Sequence, residues 1–358
     1  MRVLQVINSL ALGGTEVLLK DMAPRLRARG VDCELAILRT VPSPLGAALQ
    51  AAGVPMQLTG VPDLYSPLQV RPLARMMLGY DIVHTHLFPA QLWGVLGAWR
   101  RRGRAALLTT EHGTPHFRRR FWFRPLDAWM YSRYEMIACI SAATADSLIG
   151  WCPGTAKKIR IIHNGIPLER FTTAKPARLR EAAPGWLRLV FVGRMEVQKD
   201  HATLLRAAAI VPDMQVVLVG DGPLRPQLEQ LAGDLGIAGR VVFLGHREDV
   251  AEVLKACDIY VHSTNAEGFG IAACEAMAAG LPVIASNVPG LADVVAGAAI
   301  LFPRGDHETL AAELRMLVAS PERRLQMSDA GLVRAQCFSI EKTVDDYMEM
   351  YRSALSAS

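Results

Sequence analysis

Residues 263–285 read STNAEGFGIAACEAMAAGLPVIA, and their reading decides how the rest of the chain is organised. The apolar run Ile259-Tyr260-Val261-His262 in front of them predicts a buried strand. Residues 271–279 are rich in Ala and Met and are followed by Gly280 and Pro282, the residues that end a helix. The pattern is strand, glycine loop, helix. The backbone N–H groups of Phe269, Gly270 and Ile271 then lie at a helix N-terminus, where the dipole favours a phosphate. Glycines at 268 and 270 let a ligand approach the backbone closely. Helical side chains lean toward the N-terminus, so Glu275 reaches back toward whatever those amides hold, while Glu267 stands at the mouth of the turn. One carboxylate suits a ribose diol, the other a second hydroxylated group beyond the phosphates. Read without its neighbours, the same turn fits any doubly wound sheet.

A chain of 358 residues is about twice the usual domain length, which predicts two domains. With 51% hydrophobic and 20% charged residues it has material for two cores. Lys and Arg outnumber Asp and Glu by 39 to 34, a net charge of +5 that favours an anionic partner. No basic-aromatic RNA motif, zinc finger or helix-turn-helix pattern accompanies it, so nucleic acid is not expected. The start, MRVLQVINS, is too short in its apolar part for a signal peptide and reads as a first strand. No uncharged apolar window reaches the length of a spanning helix. Cysteines 33, 139, 152, 257, 274 and 337 form no C-x-x-C and read as reduced packing residues of a cytoplasmic protein.

Short apolar runs alternate with amphipathic stretches from the start, the pattern of parallel α/β sheets. Residues 4–7 predict strand one, which runs into Gly13-Gly14-Thr15-Glu16. This is not G-x-G-x-x-G, which weakens a dehydrogenase reading, yet glycines on the carboxyl edge of a sheet mark a ligand-facing crevice. A plain tight turn is the alternative. Strands are predicted at 33–38 and 81–86, and in the second His84 and His86 share a face. With His112, in Thr110-Glu111-His112-Gly113-Thr114, they are better read as lining a polar cleft than as metal ligands; simple hydrogen-bonded edge residues are the alternative, and for His84 and His86 the plainer one. Segments 99–104 and 116–124 interleave Arg with Trp and Phe, which suits an anionic leaflet; a solvated Arg face with its rings turned inward is the alternative. Strands at 137–141 and 159–163 close the first half, followed by Asn164-Gly165-Ile166-Pro167 and an aperiodic connection at 168–186.

The second half repeats the alternation. Strand 187–192 leads into Gly193-Arg194-Met195-Glu196-Val197-Gln198-Lys199, where Arg194 and Lys199 flank a strand-to-helix loop and are the cations a diphosphate needs. Strand 215–219 ends in Gly220-Asp221-Gly222-Pro223, and strand 241–244 in Gly245-His246-Arg247. Residues 340–354 predict an amphipathic helix with Val344, Tyr347, Met348 and Tyr351 on one side.

Taken together, GGTE, EHG, NGI, Gly193-Arg194 with Lys199, GDGP, and EGFG with Glu275 eight positions after Glu267 resemble the GT4-type retaining glycosyltransferases in both type and order. The resemblance covers nearly the whole chain. It implies a GT-B fold, two Rossmann-like β/α/β domains facing each other across a cleft, with residues 1–168 on the acceptor side and 169–339 binding the nucleotide sugar. A C-terminal helix at about 340–356 returns to the first domain. It further implies transfer of a sugar from a UDP- or GDP-type nucleotide diphosphate sugar to an acceptor hydroxyl. Retention arises by same-face attack, with a donor phosphate oxygen taking the acceptor proton. The setting is polysaccharide, lipopolysaccharide or glycolipid assembly, with a glycan or lipid-linked acceptor and a cytoplasmic, peripheral-membrane location. By the same resemblance His112, Arg194, Lys199 and Glu267 serve the chemistry, and Gly193, Gly220, Gly245, His246, Phe269, Gly270, Ile271 and Glu275 hold the donor. Gly13, Gly14 and Thr15 form the acceptor or phosphate loop. No D-x-D pattern accompanies these residues, so fixed positive groups rather than a metal are expected to stabilise the departing diphosphate, and no cofactor is expected. One departure is Val288-Pro289-Gly290-Leu291-Ala292-Asp293, where the family more often carries Gly-Gly and Glu. The competing readings are a nucleotide-sugar epimerase on the same fold and a non-catalytic sugar-nucleotide-binding protein. A glycoside hydrolase fits less well, because its two carboxylates need no phosphate-type turn.

Overall fold

The computed structural model describes residues 1–11, 13–101, 105–113 and 119–357. The chain forms two compact units, one of residues 1–165 and 340–358, the other of residues 166–339. Each is a parallel sheet covered by helices.

The first unit has seven strands: β1 (Arg2–Ile7), β2 (Asp32–Ile37), β3 (Met56–Leu58), β4 (Ile82–His86), β5 (Ala106–Glu111), β6 (Met136–Cys139) and β7 (Ile159–Ile161), in the order β3-β2-β1-β4-β5-β6-β7. Gln5 pairs in register with His84, and His86 with Thr110. On one face Val3, Ile7, Leu35 and Leu108 pack with Leu19 and Met22 of helix Gly14–Ala28 and with Val344, Tyr347 and Tyr351 of helix Ile340–Ala357. On the other, Leu4, Val6, Val83 and Ile137 pack with Trp93, Met130 and Tyr134. Both faces are therefore buried and largely apolar, as parallel sheets require, and each fully buried large apolar side chain contributes about 1.5–3 kcal/mol.

The second unit has six: β8 (Leu187–Val192), β9 (Met214–Val219), β10 (Val241–Gly245), β11 (Ile259–His262), β12 (Val283–Ser286) and β13 (Ala299–Phe302), in the order β10-β9-β8-β11-β12-β13. Its core gathers Phe191, Val216, Leu218, Val261 and Ile284 with Leu204 and Leu205 of helix His201–Ile210. The segment expected only as a connection carries a short helix, Leu168–Thr172, and lies along this unit. Ala177 N donates to Glu252 O at 2.8 Å and Gln215 Nε2 to Glu181 O at 3.3 Å.

The two orders matter for function. In each sheet the order reverses beside the first strand, between β1 and β4 and between β8 and β11. Chain leaving the carboxyl ends there turns to opposite faces and leaves a crevice. The Gly13-Gly14 loop follows β1, and the loops carrying Lys199 and Glu267 follow β8 and β11.

Candidate functional site

In the second unit the loops after β8 and β11 are stitched together. Asn265 N donates to Gln198 O at 2.7 Å and Asn265 Nδ2 to Val197 O at 2.9 Å. Thr264 Oγ1 reaches Gln198 O at 2.9 Å, and Gln198 Nε2 donates back to Ala266 O at 2.7 Å. This brings together Lys199 and Glu267, which are 68 residues apart: Lys199 Nζ lies 2.5 Å from Glu267 Oε2. The same oxygen takes His262 Nε2 at 3.1 Å, while Glu267 Oε1 accepts from Gly268 N at 3.2 Å. Burial of Glu267 alone opposes ionisation. The hydrogen bond from His262 and the charge of Lys199 outweigh it and hold the carboxyl well below its usual range. His262 is buried, which lowers its own basicity and keeps it neutral. Tyr260 Oη lies 3.0 Å from His262 Nδ1, so the hydroxyl donates there and Nε2 carries the proton given to Glu267.

The helix that follows, Ile271–Ala278, opens at Gly270 with φ 93°, a conformation suited to glycine. Gly270 O accepts from Ala273 N at 2.9 Å and Cys274 N at 3.2 Å, so only the amides ahead of Ala273 are left without an intrahelical acceptor. Phe269, just ahead of the helix, is 2% exposed and edge-on to Phe338 with ring centroids 5.3 Å apart. Glu275 occupies the second turn and is partly exposed. Gly290, in the loop where the sequence departs from the family pattern, sits with φ 84° against the backbone of Glu267 and Gly268. A Cβ there would lie 2.5 Å from Glu267 O. On the other side of Lys199, Gly193 N donates to Val219 O at 2.9 Å and Gly220 N to Gly245 O at 2.8 Å, which aligns the ends of β8, β9 and β10. His246 and Arg194 are exposed. Arg194 Nε pairs with Glu196 Oε1 at 3.0 Å, its side chain two-thirds exposed, so its ion pair is with Glu196 rather than with Glu267.

In the first unit Gly13 precedes helix Gly14–Ala28, and Thr15 and Glu16 in its first turn are buried. Desolvation pushes the Glu16 carboxyl up to about 7, only partly offset by its own backbone N–H. His112 follows β5 and is partly buried; its Nε2 lies 3.0 Å from His86 Nδ1. His84 and His86 are 0% exposed, so of the two readings open for them the hydrogen-bonded one holds and the cleft-lining one does not. The reason is hydrogen bonding: His84 binds Tyr351 Oη and Thr110 Oγ1, each at 2.8 Å, and His86 Nε2 binds Gln5 Oε1 at 2.8 Å. Satisfied in this way, two imidazoles sit in the interior.

The sequence model of Glycosyltransferase Family 4 matches residues 12–170, and that of Glycosyl transferases group 1 matches residues 182–334. A D-inositol 3-phosphate glycosyltransferase of Mycobacterium sp. (strain JLS) is 30% identical over 316 residues, covering 78% of this chain and 71% of that one. This chain is a GT4-type glycosyltransferase. A protein of the same name from Saccharomonospora viridis is 28% identical over 401 residues, 96% of this chain and 90% of its own. Among solved structures, Anabaena HepE in complex with UDP and glucose superposes with a TM-score of 0.85 at 21% identity, over 99% of this chain and 100% of that one. Its likeness gives the glycosyltransferase the GT-B fold of two parallel-sheet units.

Several residues of the candidate site carry no motif. Tyr260 and His262 stand two apart at the end of a strand, so they share a face and reach the carboxyl edge, a signal legible in Ile259-Tyr260-Val261-His262. Gln198, Thr264 and Asn265 are polar loop residues without a distinguishing pattern. Glu111, beside His112, is buried and accepts from Gln91 Nε2 at 2.6 Å and Tyr131 Oη at 2.5 Å, which anchors the end of β5. Of the two Arg-aromatic segments, residues 102–104 and 116–118 lie outside the described residues. Among the rest three rings are turned outward, Trp99 73% exposed, Phe121 78% and Trp122 55%, with the Arg120 guanidinium 5.4 Å over Trp122, while Phe123 is partly buried. Cysteines 33, 139, 152, 257 and 274 are buried and free, whereas Cys337, expected to pack with them in the interior, is exposed. No helix among the described residues is long and apolar enough to cross a membrane.

Proposed function

We propose that this glycosyltransferase moves a hexosyl group from a UDP-sugar to an acceptor hydroxyl with retention of anomeric configuration, without a resident metal. The observation that carries the reading is the Lys199–Glu267–His262 cluster beside the N-terminus of helix Ile271–Ala278, at the point where the sheet order reverses. A departing diphosphate gathers negative charge. The Lys199 ammonium and the helix amides are positive groups already fixed where that charge develops, so little reorganisation accompanies the reaction. Glu267, kept ionised, meets sugar hydroxyls with its acceptor lone pairs, and Glu275 takes the ribose diol. Arg194 is exposed on the same loop and swings from Glu196 to the phosphates. On the first unit, His112 receives a substrate hydroxyl. Uridine is supported by Anabaena HepE, whose structures were solved with UDP and with UDP-glucose.

The test is a transfer assay with UDP-sugars and hydroxylated acceptors in the presence of EDTA. UDP release together with a product whose anomeric proton coupling matches the donor's is the expected result. Transfer abolished by EDTA and restored by Mg²⁺ rules out the metal-free clamp. Donor conversion with no acceptor present indicates an epimerase. We place the reaction in lipid-linked glycan assembly at an anionic membrane, supported by the exposed Phe121 and Trp122 and the Arg120 guanidinium stacked over the indole. Cosedimentation with phosphatidylglycerol vesicles but not phosphatidylcholine vesicles is expected, and equal recovery from both removes this placement.

A further inference from the structure

Between the sheet of the first unit and helix Ile340–Ala357 runs a buried chain of polar groups that ends at His112. Gln5 Nε2 donates to Tyr351 Oη at 2.9 Å, and that hydroxyl gives its own proton to His84 Nδ1 at 2.8 Å. His84 Nε2–H continues to Thr110 Oγ1 at 2.8 Å, which lies 3.0 Å from Tyr347 Oη. With its amide nitrogen committed to Tyr351, Gln5 can offer His86 only its oxygen, 2.8 Å from Nε2. Nε2 of His86 therefore carries a proton. Burial, with His84 and His112 nearby, holds the His86 imidazole well below its ordinary value, so it has no second proton and Nδ1 is a lone pair. His112 Nε2 lies 3.0 Å from that lone pair and so is an N–H donor. In the neutral imidazole the acceptor is then Nδ1.

We propose that Gln5, His86 and Tyr351 are positioning residues that fix His112 as its Nε2–H tautomer, so that its Nδ1 accepts a hydrogen bond from a substrate hydroxyl. The proposal rests on the placement of substrate at His112 given above. It assigns to a buried glutamine of β1 and a tyrosine of the C-terminal helix a role in the reaction that neither performs by touching substrate. The hydrogen bond at one ring nitrogen sets which nitrogen of a histidine carries the proton; by analogy with the outer partners of metal-bound histidines, losing such partners is expected to cost about 10–100-fold in activity.

The experiment uses the full chain labelled with ¹⁵N-histidine and reads tautomers from two-bond nitrogen–proton correlations, alongside kcat and KM for sugar transfer. In the parent protein His112 is expected as the Nε2–H form. Gln5→Glu places an acceptor-only, negative group at His86 Nε2. This favours the charged His86 ring, whose Nδ1–H then donates to His112 and drives it to the Nδ1–H form. Transfer should fall about 10–100-fold, mainly in kcat. Tyr351→Phe removes one oxygen, frees the Gln5 amide to turn, and is expected to give both tautomers of His112 with a smaller loss; it carries the test where the glutamate variant does not fold. A parent His112 in the Nδ1–H form, or no change in either variant, overturns the relay. A changed tautomer with unaltered transfer overturns the link to substrate. A tautomer shift in a protein that releases no UDP in any form supports the relay and sinks the transferase reading instead.

Discussion

Lys199 and Glu267 neutralise one another before any donor arrives, so binding a diphosphate is an exchange of partners rather than the capture of a bare cation. Lys199→Ala removes a positive group aimed at the leaving phosphates, and turnover should fall by about 100-fold or more, with a smaller effect on UDP binding. It also leaves Glu267 with His262 and one amide, at a cost of about 2 kcal/mol at neutral pH. Because Glu267 titrates below its ordinary value of 4.5 in the folded chain, its stabilisation is complete above that value and disappears as pH falls beneath it. Denaturant melts from pH 7 to pH 3 should show this acid limb in the parent and a flatter one in the variant; identical limbs refute the coupling. Glu16 runs the opposite way. Its carboxyl is raised from 4.5 to about 7, so the folded state holds a proton that the unfolded state has lost, and stability declines as pH rises between those values. At about 1.4 kcal/mol per pH unit the decline is at most about 3 kcal/mol. Glu16→Gln should therefore be more stable than the parent at pH 8 and no more stable at pH 4. A gain equal at both pH values shows that packing, not ionisation, is responsible.

At the level of elements, the site depends on how closely loops from separate strands approach. Gly290→Ala forces a Cβ against the carbonyls of Glu267 and Gly268, at 2.5 and 2.7 Å, from a backbone with φ 84°. We expect a loss of about 1–3 kcal/mol and a displaced Glu267, read as lower Tm and lower turnover together. Gly239→Ala, where nothing lies within 4 Å, should stay within about 0.5 kcal/mol of the parent. Equal effects would mean the approach carries no strain. This dependence also explains what the sequence does and does not show. The alternation of apolar runs with helices, and the strands at 187–192 and 259–262, are legible because burial on both faces leaves continuous apolar stretches. Strand β3 has only three residues, and β5 ends in Thr109-Thr110-Glu111, whose burial rests on hydrogen bonds to Thr85, His84, Gln91 and Tyr131 that no periodicity encodes. The glycine loop and its two glutamates are visible in the residues. That Glu267 is shared between Lys199 and His262 is not, since the pairing exists only once the loops after β8 and β11 close on one another.

Across the whole molecule the chain passes between its units twice, at 165–166 and 339–340, and the two passages lie side by side, with Ile166 N donating to Phe338 O at 2.9 Å. Each unit has its own core, the first completed by a helix drawn from the far end of the sequence. Two cores make a single melting temperature an incomplete description, and a ligand confined to one unit should stabilise that unit first. If uridine diphosphate sits where the cluster of Lys199, Glu267 and the helix amides predicts, hydrogen exchange with and without UDP should slow at residues 193–200 and 263–275. At a UDP concentration about 100 times its Kd the gain in the bound unit approaches about 2.7 kcal/mol. ADP and GDP should give less protection at equal concentration. Protection that appears around residues 13–16 while 263–275 exchanges unchanged would move the nucleotide to the first unit, and with it the whole assignment of donor-binding residues.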